Sequence, residues 1–420
     1  MWYDFQYKND EYCIEDVPVK DIAESVGTPC YIYSRSAIEG DFEAFRDSFE
    51  NFDPIICYSV KANSNLAVLR AYANLGAGFD IVSGGELHRV ISAGGDPTKV
   101  VFSGVGKTAR EMKSAIEADI LFFNVESTEE LNLLNAVAKE MGRKARIALR
   151  VNPDIDPNTH PYISTGLKKS KFGIDIHRAL DVYKSASLME GVEIVGIDAH
   201  IGSQILDLNP FVESLRKLIE LAEGLKGEGI GIKYLDIGGG LGIAYGEDES
   251  PPHPKEYADV IWKEISGSPY QIVLEPGRVL AGNAGVLLTT VLYNKAGEEK
   301  KFVVVNAGMS DLLRPAFYGA KHQILPAVEN FGESETVEVV GPICETVDVL
   351  GKDIELPEVK AGDLLVILSA GAYGFVMASN YNSHPRPPEV LVDGEEFVVV
   401  RERESMEDIM RGETIPDSLK

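Results

Sequence analysis

Eight short apolar runs follow one another along the first two-thirds of the chain, and most are separated by stretches of helical period. The runs are Ile55–Val60, Gly78–Val82, Lys99–Phe102, Ile120–Val125, Ala145–Val151, Val192–Ala199, Ile232–Ile237 and Gln271–Leu274. Amphipathic segments such as Asn65–Asn74, Gly85–Ala93, Ser127–Met141 and Pro210–Leu225 lie between them. Ser83 with Glu86, and Ser127 with Glu130, have capping-box spacing at two of the helix starts. Regular strand–helix alternation implies a parallel sheet, because each crossover helix returns the chain to the end of the sheet where the previous strand began. Roughly eight strands over about 220 residues predict an α/β TIM (β/α)8 barrel rather than an open doubly wound sheet. A further unit, Cys30–Arg35 followed by Ser36–Phe49, is available to supply the helix missing after the last strand.

Past Gly285 the pattern changes. VLLTTVLYN, KKFVVVNAG, ETVEVVG, DLLVILSAG and EVLVDGEEFVVVRE are β-rich and lack long intervening helices. They predict a C-terminal antiparallel β domain, a barrel or sandwich, that also takes in the N-terminal segment. The expected division is therefore residues 28–283 for the barrel, and 1–27 with 284–420 for the β domain. No internal repeat or low-complexity segment interrupts either part.

Charge narrows the function classes. Lys and Arg number 40 against 66 Asp and Glu, a formal net charge of −26. A phosphate backbone needs a basic footprint, so nucleic acid is not an expected partner; an anionic membrane surface is disfavoured for the same reason. No stretch approaches the roughly 18–20 apolar residues of a membrane span, and the first residues, MWYDFQYKNDEY, have no signal-peptide pattern. Cys13, Cys30, Cys57 and Cys344 form no CxxC pair, so neither a disulfide framework nor a zinc site is indicated. The seven histidines show no ligand spacing, no metal is expected, and the cytoplasm is the expected compartment.

Catalytic groups of such barrels sit where the strands end. The first run ends in Tyr58-Ser59-Val60-Lys61-Ala62-Asn63. A partly buried lysine there is a candidate Schiff-base nucleophile, although strand-end lysines also snorkel. The second run ends in Asp80, followed by Ser83-Gly84-Gly85-Glu86, and the sixth in His200-Ile201-Gly202-Ser203-Gln204. The seventh ends in Gly238-Gly239-Gly240, whose bare N–H groups suit a phosphate but also suit a tight turn. The eighth ends in Glu275-Pro276-Gly277-Arg278. Phosphate sites in this architecture are often built after strands seven and eight, which favours the phosphate reading. Gly104-Val105-Gly106-Lys107-Thr108 looks like a Walker A loop, but its first glycine would fall on Val101, so it is read as a strand-to-helix turn. A Schiff-base lysine, a phosphate cradle, a ring-stacking histidine and a carboxylate for a ring nitrogen together suggest pyridoxal 5'-phosphate.

YSVKAN, HIGSQ, DIGGGLG, EPGR, CETVD and GAYG, in this order, resemble the barrel-type pyridoxal-phosphate decarboxylases related to alanine racemase. His160–Ile174, Arg314–Ile324, Gly341–Leu350 and Gly371–Val392 bring the resemblance closer to the diaminopimelate decarboxylases. It runs from about Thr28 to about Arg401, with Ser59 a small departure where the family more often has Ala. The resemblance implies that Lys61 carries the cofactor, that His200 stacks on its ring and that Glu275 binds the ring nitrogen. Asp80 joins the cofactor set, and Ser203, Gly238, Gly239, Gly240, Gly277, Arg278 and Tyr373 surround the phosphate. Arg278, Arg314 and Tyr318, with Tyr373 close by, are implied to hold the substrate's distal carboxylate, and Glu345 its distal ammonium. Cys344 is implied to protonate Cα from a neighbouring subunit, which makes the expected assembly a homodimer with shared sites.

The reaction so implied is decarboxylation of meso-2,6-diaminopimelate to L-lysine and carbon dioxide, the last step of lysine biosynthesis. Its rivals are decarboxylation of ornithine, arginine or carboxynorspermidine, and a non-catalytic cofactor-binding homologue. A distal-carboxylate arginine has less purpose in the former, and joint retention of Lys61, Cys344 and Tyr373 speaks against the latter.

Overall fold

A computed structural model describes residues 4–156, 171–246 and 249–419. The chain divides into two compact units: Ile38–Ala281, and Met1–Ala37 together with Gly282–Lys420.

The first unit is a closed parallel barrel. Its strands are β1 (Ile55–Ser59), β2 (Gly78–Ile81), β3 (Val100–Phe102), β4 (Phe122–Val125), β5 (Ala145–Asn152), β6 (Val192–Asp198), β7 (Tyr234–Asp236) and β8 (Gln271–Leu274). Each pairs with its neighbour in chain order, and β8 pairs with β1 to close the ring. All eight coincide with the apolar runs of the sequence. Inward-facing Cys57, Val101, Phe122, Ala148, Val195, Tyr234 and Val273 fill the interior, so the barrel is a packed core and not a pore. The short strand Ile174–Asp175, which pairs outside β5, has no counterpart in the sequence reading.

The helix starts follow local chemistry. Ser83 and Ser127 each accept the backbone N–H three residues on. Their glutamates do not complete the expected boxes. Glu86 instead accepts from Val82 N at 2.6 Å, and Glu130 from Glu126 N at 3.0 Å, each one residue further back. The full box appears at Thr108 and Glu111, heading helix Ala109–Glu117. That places Gly104–Thr108 in a strand-to-helix turn. Its Lys107 is wholly enclosed, donating to Gly104 O, Asn124 O and Glu130 Oε1 at 2.7–2.8 Å.

The second unit is built on a mixed sheet. Its order is Val349–Pro357, Ser334–Val340, Lys301–Val305, Gly285–Ala296, Cys30–Ser34, Glu389–Asp393, Glu396–Arg401; Leu364–Ile367 also pairs with Gly285–Ala296, and Ile324–Pro326 with Leu364–Ile367. Most pairs are antiparallel, but Lys301–Val305 runs parallel to Ser334–Val340, and Cys30–Ser34 parallel to Glu389–Asp393. Strand Cys30–Ser34, read from sequence as leading into the barrel, sits in the middle of this sheet. All five of its residues are buried, so it suits a strand covered on both faces. The N-terminal segment adds an antiparallel sheet of Phe5–Lys8, Glu11–Ile14 and Val17–Pro18. Phe5, Tyr12, Ile14, Val17 and Ile22 share one apolar core with Ile32, Val286, Leu288, Val366, Val390 and Val392. Among the described residues no helix is long and apolar enough to cross a membrane.

Candidate active site

The strands of the barrel deliver polar side chains to one layer at their C-terminal ends. Ser59, Asp80, Ser103, Asn124, Arg150, Asp198, Asp236 and Glu275 are all buried there. Ser59 Oγ donates to Asp80 Oδ2 at 2.7 Å and lies 3.1 Å from Glu275 O. Asn124 Nδ2 faces Ser103 Oγ at 3.0 Å and one oxygen each of Asp236 and Glu275 at 3.2 Å. Ser103 Oγ also donates to Glu275 Oε1, at 3.2 Å. Arg150 binds Glu126 at 3.1 Å and approaches Asp198 at 3.9 Å.

Lys61 rises from the end of β1, about one-third exposed (34%), with Nζ 2.5 Å from Asp80 Oδ2. The other oxygen of Asp80 is buried with no hydrogen-bond partner among the described residues. Burial raises the Glu275 carboxyl to about 7; Asp80 adds to the rise while Lys61 and Arg150 oppose it. Asp198 and Asp236 are likewise pushed well above the usual carboxylate range, first by burial and then by Glu275. Packing several carboxyl groups into one desolvated layer disfavours their charged forms.

His200 follows β6. Its Nδ1 accepts the Gly239 N–H at 3.2 Å, so in the neutral ring the proton sits on Nε2. Desolvation, then the charges of Arg150 and Lys61, push its pKa well below 6.5, although the ring is not fully enclosed. The ring is therefore uncharged at neutral pH.

The glycines after β7 serve close approach as much as donation. Gly238 N donates to Asp236 Oδ1 at 2.9 Å, so two of the three bare N–H groups are already engaged by side chains. A Cβ on Gly239 would lie 2.0 Å from Glu275 O, and one on Gly240, with φ +119°, 2.4 Å from Gly202 O. Across from them Arg278 Nη2 donates to Ser203 Oγ at 3.0 Å and Nη1 to the Tyr245 hydroxyl. Gly277 immediately precedes the short helix Arg278–Ala281 and is buried.

In the second unit Arg314 is buried at the start of helix Arg314–Tyr318, and Tyr318 closes that helix half-buried. Cys344 and Glu345 lie exposed on a turn that Asp348 ties down. The Asp348 carboxylate accepts Met309 N at 2.6 Å and Ile343 N at 2.7 Å, and its backbone carbonyl accepts Gly341 N at 3.1 Å. Asn382 Oδ1 holds Cys344 N at 2.8 Å, and the Tyr381 hydroxyl donates to Glu345 Oε1 at 2.5 Å. Tyr373 is half-buried with φ +56° inside Gly371–Gly374.

Residues 35–282 match the family model described as "Pyridoxal-dependent decarboxylase, pyridoxal binding domain". Diaminopimelate decarboxylase of Vibrio cholerae is 51% identical over 413 residues, 98% of this chain and 99% of the relative. The chain belongs to the pyridoxal-dependent diaminopimelate decarboxylases. Two solved structures agree with that membership. Diaminopimelate decarboxylase of M. jannaschii in complex with L-lysine has a TM-score of 0.95 at 40% identity, covering 99% of both chains. The Helicobacter pylori enzyme complexed with L-lysine has a TM-score of 0.90 at 42% identity, covering 94% of this chain and 98% of that one.

The barrel mouth fits the pyridoxal cofactor of this family. It combines a lysine at a strand end, an uncharged imidazole, a carboxyl group poised near 7 and a glycine turn too tight for any Cβ. The sequence reading brought together Lys61, Asp80, His200, Ser203, Gly238–Gly240, Glu275, Gly277 and Arg278, all of which lie on this unit. Ser103, Asn124, Arg150 and Tyr245 were missed. Their signal was present: a polar side chain interrupts or ends an apolar run in VVFS, FFNV and ALRVN, and Tyr245 closes GLGIAY. Asp198, Asp236 and Glu275 carry oxygens within 4.8 Å of one another; their neighbours Asn124 and Arg150 account for them as part of the polar layer. Residues 160–170 of the family-like segment His160–Ile174 lie outside the described residues.

Proposed function

We propose that this chain decarboxylates meso-2,6-diaminopimelate to L-lysine and carbon dioxide. The observation that carries the reading is near-full-length identity of about one half to a curated diaminopimelate decarboxylase, together with the lysine–carboxyl–imidazole layer at the barrel mouth. Bound pyridoxal phosphate supplies an electron sink for the pair left at Cα when carbon dioxide departs.

The protein's groups divide the remaining work. Lys61 Nζ would hold the cofactor, and Asp80 orients that amine. Neutral His200 would serve the cofactor's ring without adding positive charge, and Glu275 would serve its ring nitrogen, with Ser103 and Asn124 fixing the carboxyl plane. Ser203, Gly238–Gly240, Gly277, Arg278 and Tyr373 surround the phosphate. Arg314 and Tyr318, with Arg278 and Tyr373, receive the distal carboxylate, Glu345 the distal ammonium, and Cys344 delivers the proton to Cα. A diamino dicarboxylate needs both kinds of distal anchor, arginine for the acid and a carboxylate for the amine.

The working assembly in this reading is a homodimer with shared sites, and the compartment is the cytoplasm. The distal-carboxylate arginine favours diaminopimelate over ornithine, arginine or carboxynorspermidine. Carbon dioxide release from a panel of meso-diaminopimelate, lysine, ornithine and arginine tests the substrate; release from ornithine or arginine in preference to diaminopimelate refutes it. Mixing Lys61→Ala chains with Cys344→Ala chains tests the sharing. Partial recovery is expected, and none despite confirmed subunit exchange refutes it.

A further inference from the structure

Arg314, the arginine assigned above to the distal carboxylate, has a histidine as a buried partner. Its Nη1 lies 3.0 Å from Nε2 of His322, and the two residues are only 5% and 4% exposed. The other ring nitrogen of His322 lies 2.8 Å from the carbonyl oxygen of Leu368. A guanidinium only donates and a carbonyl only accepts, so the tautomer follows from the partners. Nδ1 carries the proton and donates to Leu368, and Nε2 offers its lone pair to Arg314. A doubly protonated ring would set N–H against N–H and charge against like charge in a desolvated place.

The backbone fixes this imidazole. Leu368 N donates to Gln323 O at 2.9 Å, and Ile324 pairs with Ile367 in the adjoining ladder. Leu368 is thus held opposite Gln323, and so beside His322, just past the end of the ladder.

We propose that His322 is a positioning residue that makes the site selective for substrates with a distal carboxylate. It fixes the plane of the Arg314 guanidinium through a neutral acceptor. An aspartate or glutamate in the same place would fix that plane equally well, but its negative charge would compete with the substrate's carboxylate. A bidentate guanidinium–carboxylate pair depends on the guanidinium plane, so the orientation matters as much as the charge. This inference rests on the assignment of Arg314 in the proposed function.

Holoenzyme kinetics test it. L-lysine keeps the distal amino-acid end and cadaverine has no carboxylate, so inhibition by each separates the carboxylate contact from the rest of the site. In His322→Phe the KM for diaminopimelate and the inhibition constant for lysine should each rise about tenfold. The cadaverine constant and kcat should stay within about twofold, because the reacting end is untouched. His322→Gln, which can both donate and accept, should recover most of the loss. Should His322→Phe fail to fold, His322→Asn carries the same expectation, since it keeps a donor toward Leu368 and loses reach to Arg314. Unchanged constants, or equal shifts for lysine and cadaverine, overturn the proposal. Arg314→Met is the control: if it raises the lysine constant while His322→Phe does not, only the role of His322 falls. If Arg314→Met changes nothing, the assignment of Arg314 falls and this inference with it.

Discussion

Replacing Asp348 with asparagine puts the turn that carries Cys344 and Glu345 to a direct test. The two carboxylate oxygens accept separate backbone N–H groups, Met309 at 2.6 Å and Ile343 at 2.7 Å. An asparagine amide has nearly the same shape but only one acceptor, so its NH2 must face one of those N–H groups. Hydrogen bonds to a charged group contribute about 1.5–3 kcal/mol each and neutral ones about 0.5–1.5 kcal/mol. Losing one and weakening the other costs about 2–4 kcal/mol. Part of that is returned, because burial already penalises the Asp348 charge and holds its pKa above the ordinary value. A net loss of about 2 kcal/mol remains, read from urea midpoints at pH 8 with an unchanged denaturant slope. The same substitution releases Ile343 N, one residue before Cys344. Misplacing a reacting group by about 1 Å costs on the order of a hundredfold, so kcat should fall ten- to hundredfold, and KM should rise with it because Glu345, which receives the distal ammonium, sits on the same turn. An unaltered midpoint with unaltered kcat would falsify the idea that these two bonds hold the turn. A lowered midpoint with full kcat would separate the fold of the turn from the chemistry of Cys344.

Lys107→Met should cost about 3–5 kcal/mol, because it strands the buried Glu130 carboxylate, and adding Glu130→Leu should restore much of it; thermal melts of the single and double variants decide. Gly239→Ala drives a methyl group toward Glu275 O, 2.0 Å from the ideal Cβ position, so bound cofactor per chain, measured by visible absorbance, should drop severalfold; full occupancy would refute the tight-turn argument. Burial, opposed by the Gly308 N–H, raises Asp311 to about 7, above the ordinary carboxylate value of about 4. Between those values the folded protein keeps a proton that the unfolded chain has lost, so this group's contribution to stability is present at low pH and declines as pH rises through the window. Asp311→Asn should make the stability–pH slope shallower by about one proton between about pH 4 and 7, and an unchanged slope in urea titrations would count against the shift.

Much of the barrel was legible because two periods differ. Apolar runs such as IICYS and FFNV are too short for helices, and the 3.6-residue pattern between them leaves few alternatives. The strand-end logic then singled out Lys61, His200, the glycines and Glu275, and the structure gathers them at the C-terminal ends of the barrel strands. The polar layer was harder to see, because Asn124 and Arg150 lie inside apolar runs and look like exceptions until their neighbours converge on them. Strand Cys30–Ser34 was read as part of the barrel because CYIYS precedes a helix in the same way as the barrel strands do; only pairing partners distant in sequence assign it to the mixed sheet. The parallel pairs of that sheet escaped for the same reason. His322 lies inside the family-like segment Arg314–Ile324, but nothing in that segment names its partner: its meaning comes from Leu368, which is near in space and far along the chain.

The place of Cys30–Ser34 also bears on the order in which the protein can be assembled. This strand leaves the ribosome early, yet its two sheet neighbours, Gly285–Ala296 and Glu389–Asp393, emerge only after the whole of Ile38–Ala281 has been made. The barrel, whose strands all lie inside one continuous stretch, is free to form first during synthesis, while an apolar strand waits without partners. Deleting the first 37 residues would therefore do more than trim an end. It would remove the middle of a sheet and leave two β-rich edges open to pairing between chains.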